Sequence, residues 1–257
     1  MFNNKIEQVK HLPLKIGEVA RYVIVPGDPN RVEIIASVMD SYTLQGRNRE
    51  FNAARGTYKG TDVSVVSTGI GCPSTAIAVE ELAHVGAEVF IRIGTSGSVD
   101  NSVEKGDIFI ATGAVRDDGT SKQYIPIEFP AVADFKLVAN LIKASKDLNI
   151  DTKVGICQSK DSFFGEVEPE RMPVAPYLDY KWKAWQKGGV GASEMEAATL
   201  FVVGSYRKLR TGAVLLVAGD QAKGESLTKE EYKQNMTESI NMILEASLEI
   251  EEESSNG

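Results

Sequence analysis

Cysteine and histidine are scarce in this chain, with two of each in 257 residues. Two cysteines, Cys72 and Cys157, do not make a disulfide scaffold, and free thiols suit a reducing compartment. Neither has a second Cys or a His at metal-ligand spacing, which argues against a zinc site. With only His11 and His84 there is no convincing Ser-His-Asp set, and His84 reads as a helix-surface residue. No apolar run approaches the ~20 residues a membrane span needs. The N-terminal stretch MFNNKIEQVKHLPLKIGE lacks the apolar core of a signal peptide. These absences point to the cytoplasm and away from a membrane. Positive charge is short as well: 28 Lys and Arg stand against 36 Asp and Glu, a net charge of −8. A nucleic-acid backbone is therefore an unsuitable partner. Any phosphate site has to be local, made by a few placed arginines.

What is present is an ordinary globular composition, 42% hydrophobic and 25% charged. Short apolar runs at 22–25, 63–67, 89–93, 107–111, 154–158 and 213–217 read as strands buried on both faces. Helical periodicity falls between them, over 74–84, 135–146, from after Glu194 to Val203, and over 229–251. In the first of these helices Ile77, Ala78 and Leu82 lie on one face, with Glu80 and Glu81 on another. Alternating strands and helices predict a three-layer α/β fold with a mostly parallel sheet. No repeat, linker or composition break divides it, so residues 1–257 read as a single domain. Ligands in such folds bind beyond the carboxyl ends of the strands.

The informative residues sit at those ends. Val25-Pro-Gly-Asp-Pro-Asn-Arg31 follows a strand; Gly27 lets a backbone NH approach an anion, and Arg31 opens the next helix. A plain turn with a surface arginine is the alternative. Ser67-Thr-Gly-Ile-Gly-Cys-Pro-Ser74 half-matches a dinucleotide-binding loop, but Ser74 stands at the third glycine position. Phe90-Ile-Arg-Ile-Gly-Thr-Ser-Gly97 places Arg92 inside an apolar strand, which requires an ion pair or a bound anion. Thr95 lies just beyond it and can serve the same anion. Asn48-Arg-Glu-Phe51 says nothing by itself. In Ala192-Ser-Glu-Met-Glu-Ala197, Glu194 and Glu196 flank Met195 at a helix entry. They fit either the helix dipole or the hydroxyls of a sugar, with Met195 on its apolar face.

Taken in order, VPGDPNRVE, NREF, STGIGCPSTAIAVEELA, IRIGTSG, EFPAVADF and SEMEAATL resemble the uridine phosphorylase and hexameric purine nucleoside phosphorylase family. The match runs from His11 to the C-terminal helix. It implies a three-layer fold around a twisted mixed sheet flanked by helices. It also implies a homo-oligomer, a hexamer built as three dimers, with active sites shared between paired subunits. The substrates would be a nucleoside and inorganic phosphate, with no cofactor. Gly27, Arg31, Arg92 and Thr95 resemble the phosphate-binding set, and Arg49 the arginine donated by the neighbour. Glu194, Met195 and Glu196 resemble the ribose set, which Thr95 borders. His11 resembles the histidine that reaches the 5′-hydroxyl from the neighbour. Phe163 resembles the aromatic beside sugar and base. Glu50, Ile70 and Ser74 match positions that hold a monovalent cation in some uridine phosphorylases.

The base pocket departs from the pattern. Glu166 stands where uridine phosphorylases carry Gln, Arg171 is the nearest counterpart of their Arg, and a carboxylate cannot donate to a carbonyl. Asp220, in Val217-Ala-Gly-Asp-Gln221, is more like the acid that protonates a departing purine. PERMPV and KWKAW lean to the uridine branch. The reading favoured is phosphorolysis of uridine, with purine nucleosides, a nucleosidase or a non-catalytic nucleoside-binding protein as alternatives. The trio Arg31, Arg49 and Arg92 favours phosphorolysis over hydrolysis.

Overall fold

The computed structural model describes residues 9–220 and 224–255, without the side chains of Asp220, Glu225 and residues 251–255. In chain order the elements are β1 (Tyr22–Pro26), α1 (Arg31–Ala36), β2 (Ser41–Asn48), β3 (Phe51–Tyr58), β4 (Thr61–Val66), α2 (Cys72–Val85), β5 (Val89–Ser98), β6 (Ile108–Asp117), α3 (Thr120–Tyr124), β7 (Ala131–Val132), α4 (Phe135–Asp147), β8 (Thr152–Lys160), α5 (Phe163–Val167), α6 (Ala175–Lys187), β9 (Val190–Glu194), α7 (Ala197–Arg207), β10 (Arg210–Asp220), β11 (Glu225–Ser226) and α8 (Lys229–Ser255).

The period of two along the central strands sorts side chains between two cores. Val23, Val25 and Phe90 point to one face, beneath α2 and α7. Tyr22, Ile24, Val89, Ile91 and Ile93 point to the other, beneath α1, α4 and α8. Helices therefore cover both faces of one sheet, and the three-layer expectation holds. Local chemistry starts the helices where they start. Asp134 accepts from the Leu137 amide at 2.8 Å to cap α4. Thr228 and Glu231 exchange bonds across the first turn of α8, a capping box.

The sheet is mixed rather than mostly parallel. Along it the strands run β11-β10-β6-β8-β9-β5-β1-β4-β3-β2, with β7 beside β6. Pairs β1–β4, β1–β5, β5–β10, β6–β8 and β8–β9 are parallel. The β2–β3–β4 meander, β10–β6 and β5–β9 are antiparallel. Short turns at 49–50 and 59–60 force the meander, because parallel neighbours need long crossovers. Strand β9 returns to β5, so β5, β10, β6, β8 and β9 close into a ring.

That closure makes a gap. One edge of β5 pairs with β1 as far as Ile93, then with β9 from Gly97. Over Gly94, Thr95 and Ser96 only β10 is alongside. The sheet splits there, at the carboxyl ends of β1 and β5.

Two side-chain expectations are corrected. Glu81, expected on a different face of α2 from Ala78 and Leu82, is buried as they are, because residues 11–12 fold over that helix and direct their amides at its carboxylate. His84 is half-buried rather than on the surface, near the end of the same helix.

Candidate active site

A cavity of about 950 Å³ opens at the split in the sheet. Its walls include Gly27, Arg31, Glu50, Ile70, Ser74, Arg92, Thr95, Phe163, Glu166, Glu194, Met195 and Glu196, which the sequence had singled out separately. Gly94, Ser96, Lys160 and Ser193 join them.

Arg92 follows Phe90 on the same face of β5, so its side chain points toward α7. There β9 ends at Glu194 and α7 begins at Ala197. Arg92 Nε donates to Glu194 Oε2 at 2.8 Å, and Nη2 pairs with Glu196 Oε2. Both carboxylate side chains are at most 5% exposed. Gly94 makes room for this: a Cβ there would stand 2.6 Å from Arg92 Nη2. Burial pushes against the charge on Arg92, but Glu196 and Glu194 together more than offset it and hold its pKa above the ordinary value. The ion pair proposed from sequence is present, and one group is left over. Arg92 Nη1 is buried with no partner among the described residues, as is Ser96 Oγ. A buried guanidinium N–H without an acceptor is costly, and both atoms belong to residues lining the cavity. An acceptor such as an anion would satisfy both atoms.

The two glutamates differ. Glu194 accepts from Arg92, the Glu196 and Ala197 amides and Ser159 Oγ. Four donors fill the capacity of a carboxylate. Glu194 thus caps α7 and fixes Arg92. Glu196 accepts from the Gly71 amide at 2.6 Å and pairs with Arg92. Burial, with Glu194 beside it and Arg92 opposing, raises its pKa above the ordinary carboxylate value.

Across the cavity, Glu50 and Ser74 meet at 2.9 Å, Ser74 Oγ donating to Glu50 Oε1. Gly69 turns between them with φ +73°, a conformation and a spacing that a side chain would not tolerate. Arg31 lies over the Tyr232 ring of α8, 5.8 Å from its centroid. Phe163 is half-exposed on α5, edge to face with Phe164.

Not every expected residue comes to the cavity. Arg171 lies in a short 3-10 turn at Pro169–Arg171, with its side chain 69% exposed and paired to Glu168, so it does not line this site. Arg49 has φ 55° at the tight β2–β3 turn and is exposed. His11 Nδ1 is 2.7 Å from Glu81, away from the cavity of its own chain. The side chain of Asp220 and residues 221–223 lie outside the described residues, so the expected acid is not placed. Among the described residues no three His, Cys, Asp or Glu cluster as a metal site, and no helix is long and apolar enough to cross a membrane.

Sequence reasoning missed Lys160. The strand was expected to end at Gln158 but continues to Lys160, whose buried ammonium pairs with Glu166 at 2.8 Å. A lysine two residues past an apolar run was the available signal.

A buried arginine with one N–H left unpartnered among the described residues, beside two buried carboxylates, lines a cavity in a split α/β sheet, an arrangement able to take an anion next to a polyhydroxylated molecule. The comparisons with known proteins narrow this. The model of the phosphorylase superfamily matches residues 21–250, and the chain belongs to that family. A uridine phosphorylase of Treponema pallidum is 51% identical over 213 residues, 83% of each chain. A uridine phosphorylase of Thermococcus kodakarensis is 43% identical over 84% of this chain and 78% of its own. A guanosine phosphorylase of Halorubrum lacusprofundi is 40% identical over 92% of this chain and 96% of its own.

Proposed function

We propose that the chain is a nucleoside phosphorylase that cleaves uridine reversibly with inorganic phosphate, giving uracil and ribose 1-phosphate. The observation that carries the reading is Arg92 Nη1, which has no partner among the described residues and belongs to a residue lining the same cavity as Glu196. Arg92, Thr95, Gly27 and Arg31 bind phosphate, with Arg49 supplied by a neighbouring subunit. Glu196 and Met195 hold the ribose, and Glu194 keeps Arg92 in place. His11 reaches the sugar of the adjacent subunit. Phe163 and Glu166 face the base. Phosphate attacks C1′ as the base departs through an oxocarbenium-like state, so the catalysis is positioning and electrostatics with no covalent nucleophile.

A homo-oligomer of paired subunits, assembled as a hexamer, fits the exposure of Ile70 at 78% beside the cavity and of most of strand β2. A monovalent cation at Glu50, Ile70 and Ser74 would meet oxygen donors suited to it. The two free, buried thiols fit a cytoplasmic enzyme.

The guanosine phosphorylase among the relatives supports a purine as the second reading, with Asp220 as the acid. The test is base release from uridine, thymidine, inosine, guanosine and adenosine with phosphate present, in wild type and Asp220→Asn. Uridine cleavage that survives Asp220→Asn supports the pyrimidine reading. Activity confined to purine nucleosides and lost about 10²–10⁴-fold in the variant would replace it.

A further inference from the structure

At the end of β8, Gln158 and Lys160 share a face. Lys160 Nζ donates to Ser193 Oγ at 2.8 Å and pairs with Glu166 Oε2 at 2.8 Å. Ser193 Oγ is in turn 2.6 Å from Gln158 Oε1, and Gln158 Nε2 donates to Asp117 at 2.9 Å. The Lys160 side chain is only 9% exposed and that of Glu166 6%. Both residues line the cavity, as does Phe163. A buried lysine is costly unless it is paired, and the Glu166 carboxylate is its partner here. An ammonium has three N–H bonds, and the described residues take two of them.

The pair presents opposite polarities side by side. A carboxylate only accepts and an ammonium only donates. The imide edge of a pyrimidinedione alternates carbonyl, N–H, carbonyl. It needs an acceptor flanked by a donor, which one amide side chain can supply and a lone carboxylate cannot. Glu166 with Lys160 supplies both, and Arg171 is not required.

We propose that Lys160 is a catalytic residue of this site: with Glu166 accepting the ring N3–H, its free N–H donates to the adjacent base carbonyl, and its charge stabilises the base anion as the glycosidic bond breaks. This rests on the uridine reading above. As the C1′–N1 bond breaks, its electron pair goes to the base, delocalised onto the carbonyl oxygens. A phosphate oxygen forms the new bond to C1′. The proton lost by hydrogen phosphate balances the one taken up by the departing base. An ammonium fixed on a buried side chain stabilises charge that appears only in the transition state.

The test compares kcat/KM for uridine and 5-fluorouridine in wild type, Lys160→Met and Lys160→Arg. Fluorine makes the departing base a weaker base, so it depends less on external stabilisation. Lys160→Met is expected to lose about 10²-fold on uridine and clearly less on 5-fluorouridine, with Lys160→Arg between it and wild type. Wild type is also expected to reject 3-methyluridine, which has no N3–H. Equal losses on both substrates would make Lys160 merely structural and overturn the proposal, as would unimpaired turnover of 3-methyluridine. If Lys160→Met does not fold, Lys160→Gln, a neutral donor, carries the same comparison. A wild type that releases no uracil from uridine and phosphate sinks the function itself, a result distinct from either.

Discussion

At Arg92 one guanidinium divides its donors: Nε and Nη2 go to Glu194 and Glu196, and Nη1 is left without a partner among the described residues. Two substitutions separate these duties. Lys keeps the charge but not the fork. Arg92→Lys should therefore fold and lose about 10²-fold in kcat/KM for phosphate, roughly 3 kcal/mol, as phosphate saturation curves will read. Arg92→Ala leaves two buried carboxylates uncompensated and should also lower stability by about 3–5 kcal/mol, seen in thermal unfolding. A fully active Arg92→Lys enzyme would remove Arg92 from the phosphate site. With Glu196 on the sugar, as proposed, it is expected to set the acid side of the pH profile. Burial raises its pKa, so on acidification it is protonated before an ordinary glutamate, and the ionised form that accepts from hydroxyls is lost sooner. The acid limb of kcat/KM should lie above 4.5, the ordinary glutamate value. A limb at or below 4.5 would contradict the assignment. Arg92 was legible because an arginine inside Phe90–Ile93 has no other business in an apolar strand. The division of labour between Glu194 and Glu196 was not, since it depends on Ser159, from a different strand, filling one of them.

Among the elements, α2 anchors a segment far from it in sequence. Glu81 accepts from the backbone amides of His11 and Leu12, each at 2.9 Å, and from His11 Nδ1 at 2.7 Å. Glu81→Ala should release this segment and cost about 2–3 kcal/mol, because bonds to a buried charge are lost and a buried amide is stranded. Hydrogen exchange at the Leu12 amide reads it directly; unchanged protection would refute the anchor. In β5, Gly94→Ala should push the Arg92 guanidinium aside and weaken phosphate binding, with the strand otherwise intact. The six apolar strands and the main helices were legible from hydrophobic runs and helical period. The β2–β3 hairpin was not, for SYTLQGRN is largely exposed and carries little apolar signal. Nor was β9, where VGASE is wholly buried yet built of small and polar residues. That strand closes the ring and delivers Glu194. The element with the weakest sequence signal therefore places one of the most constrained side chains.

For the whole molecule, the cavity of one chain leaves Arg49 and His11 outside it, while Ile70 in its wall is 78% exposed. A shared site follows if a second copy covers that face. Mixing Arg49→Ala subunits with Arg92→Ala subunits should restore part of the activity after exchange; a fully active monomer in sedimentation would contradict sharing. The split between β1, β5 and β9 brings together residues that the sequence could only name one by one, in the walls of one cavity. The decisive measurement is phosphorus NMR of the enzyme with uridine and inorganic phosphate, paired with uracil release in a phosphate-free control. The account predicts ribose 1-phosphate in step with uracil, and no release without phosphate. Uracil released at the same rate in both, with no phosphate ester formed, would make the protein a hydrolase and contradict it.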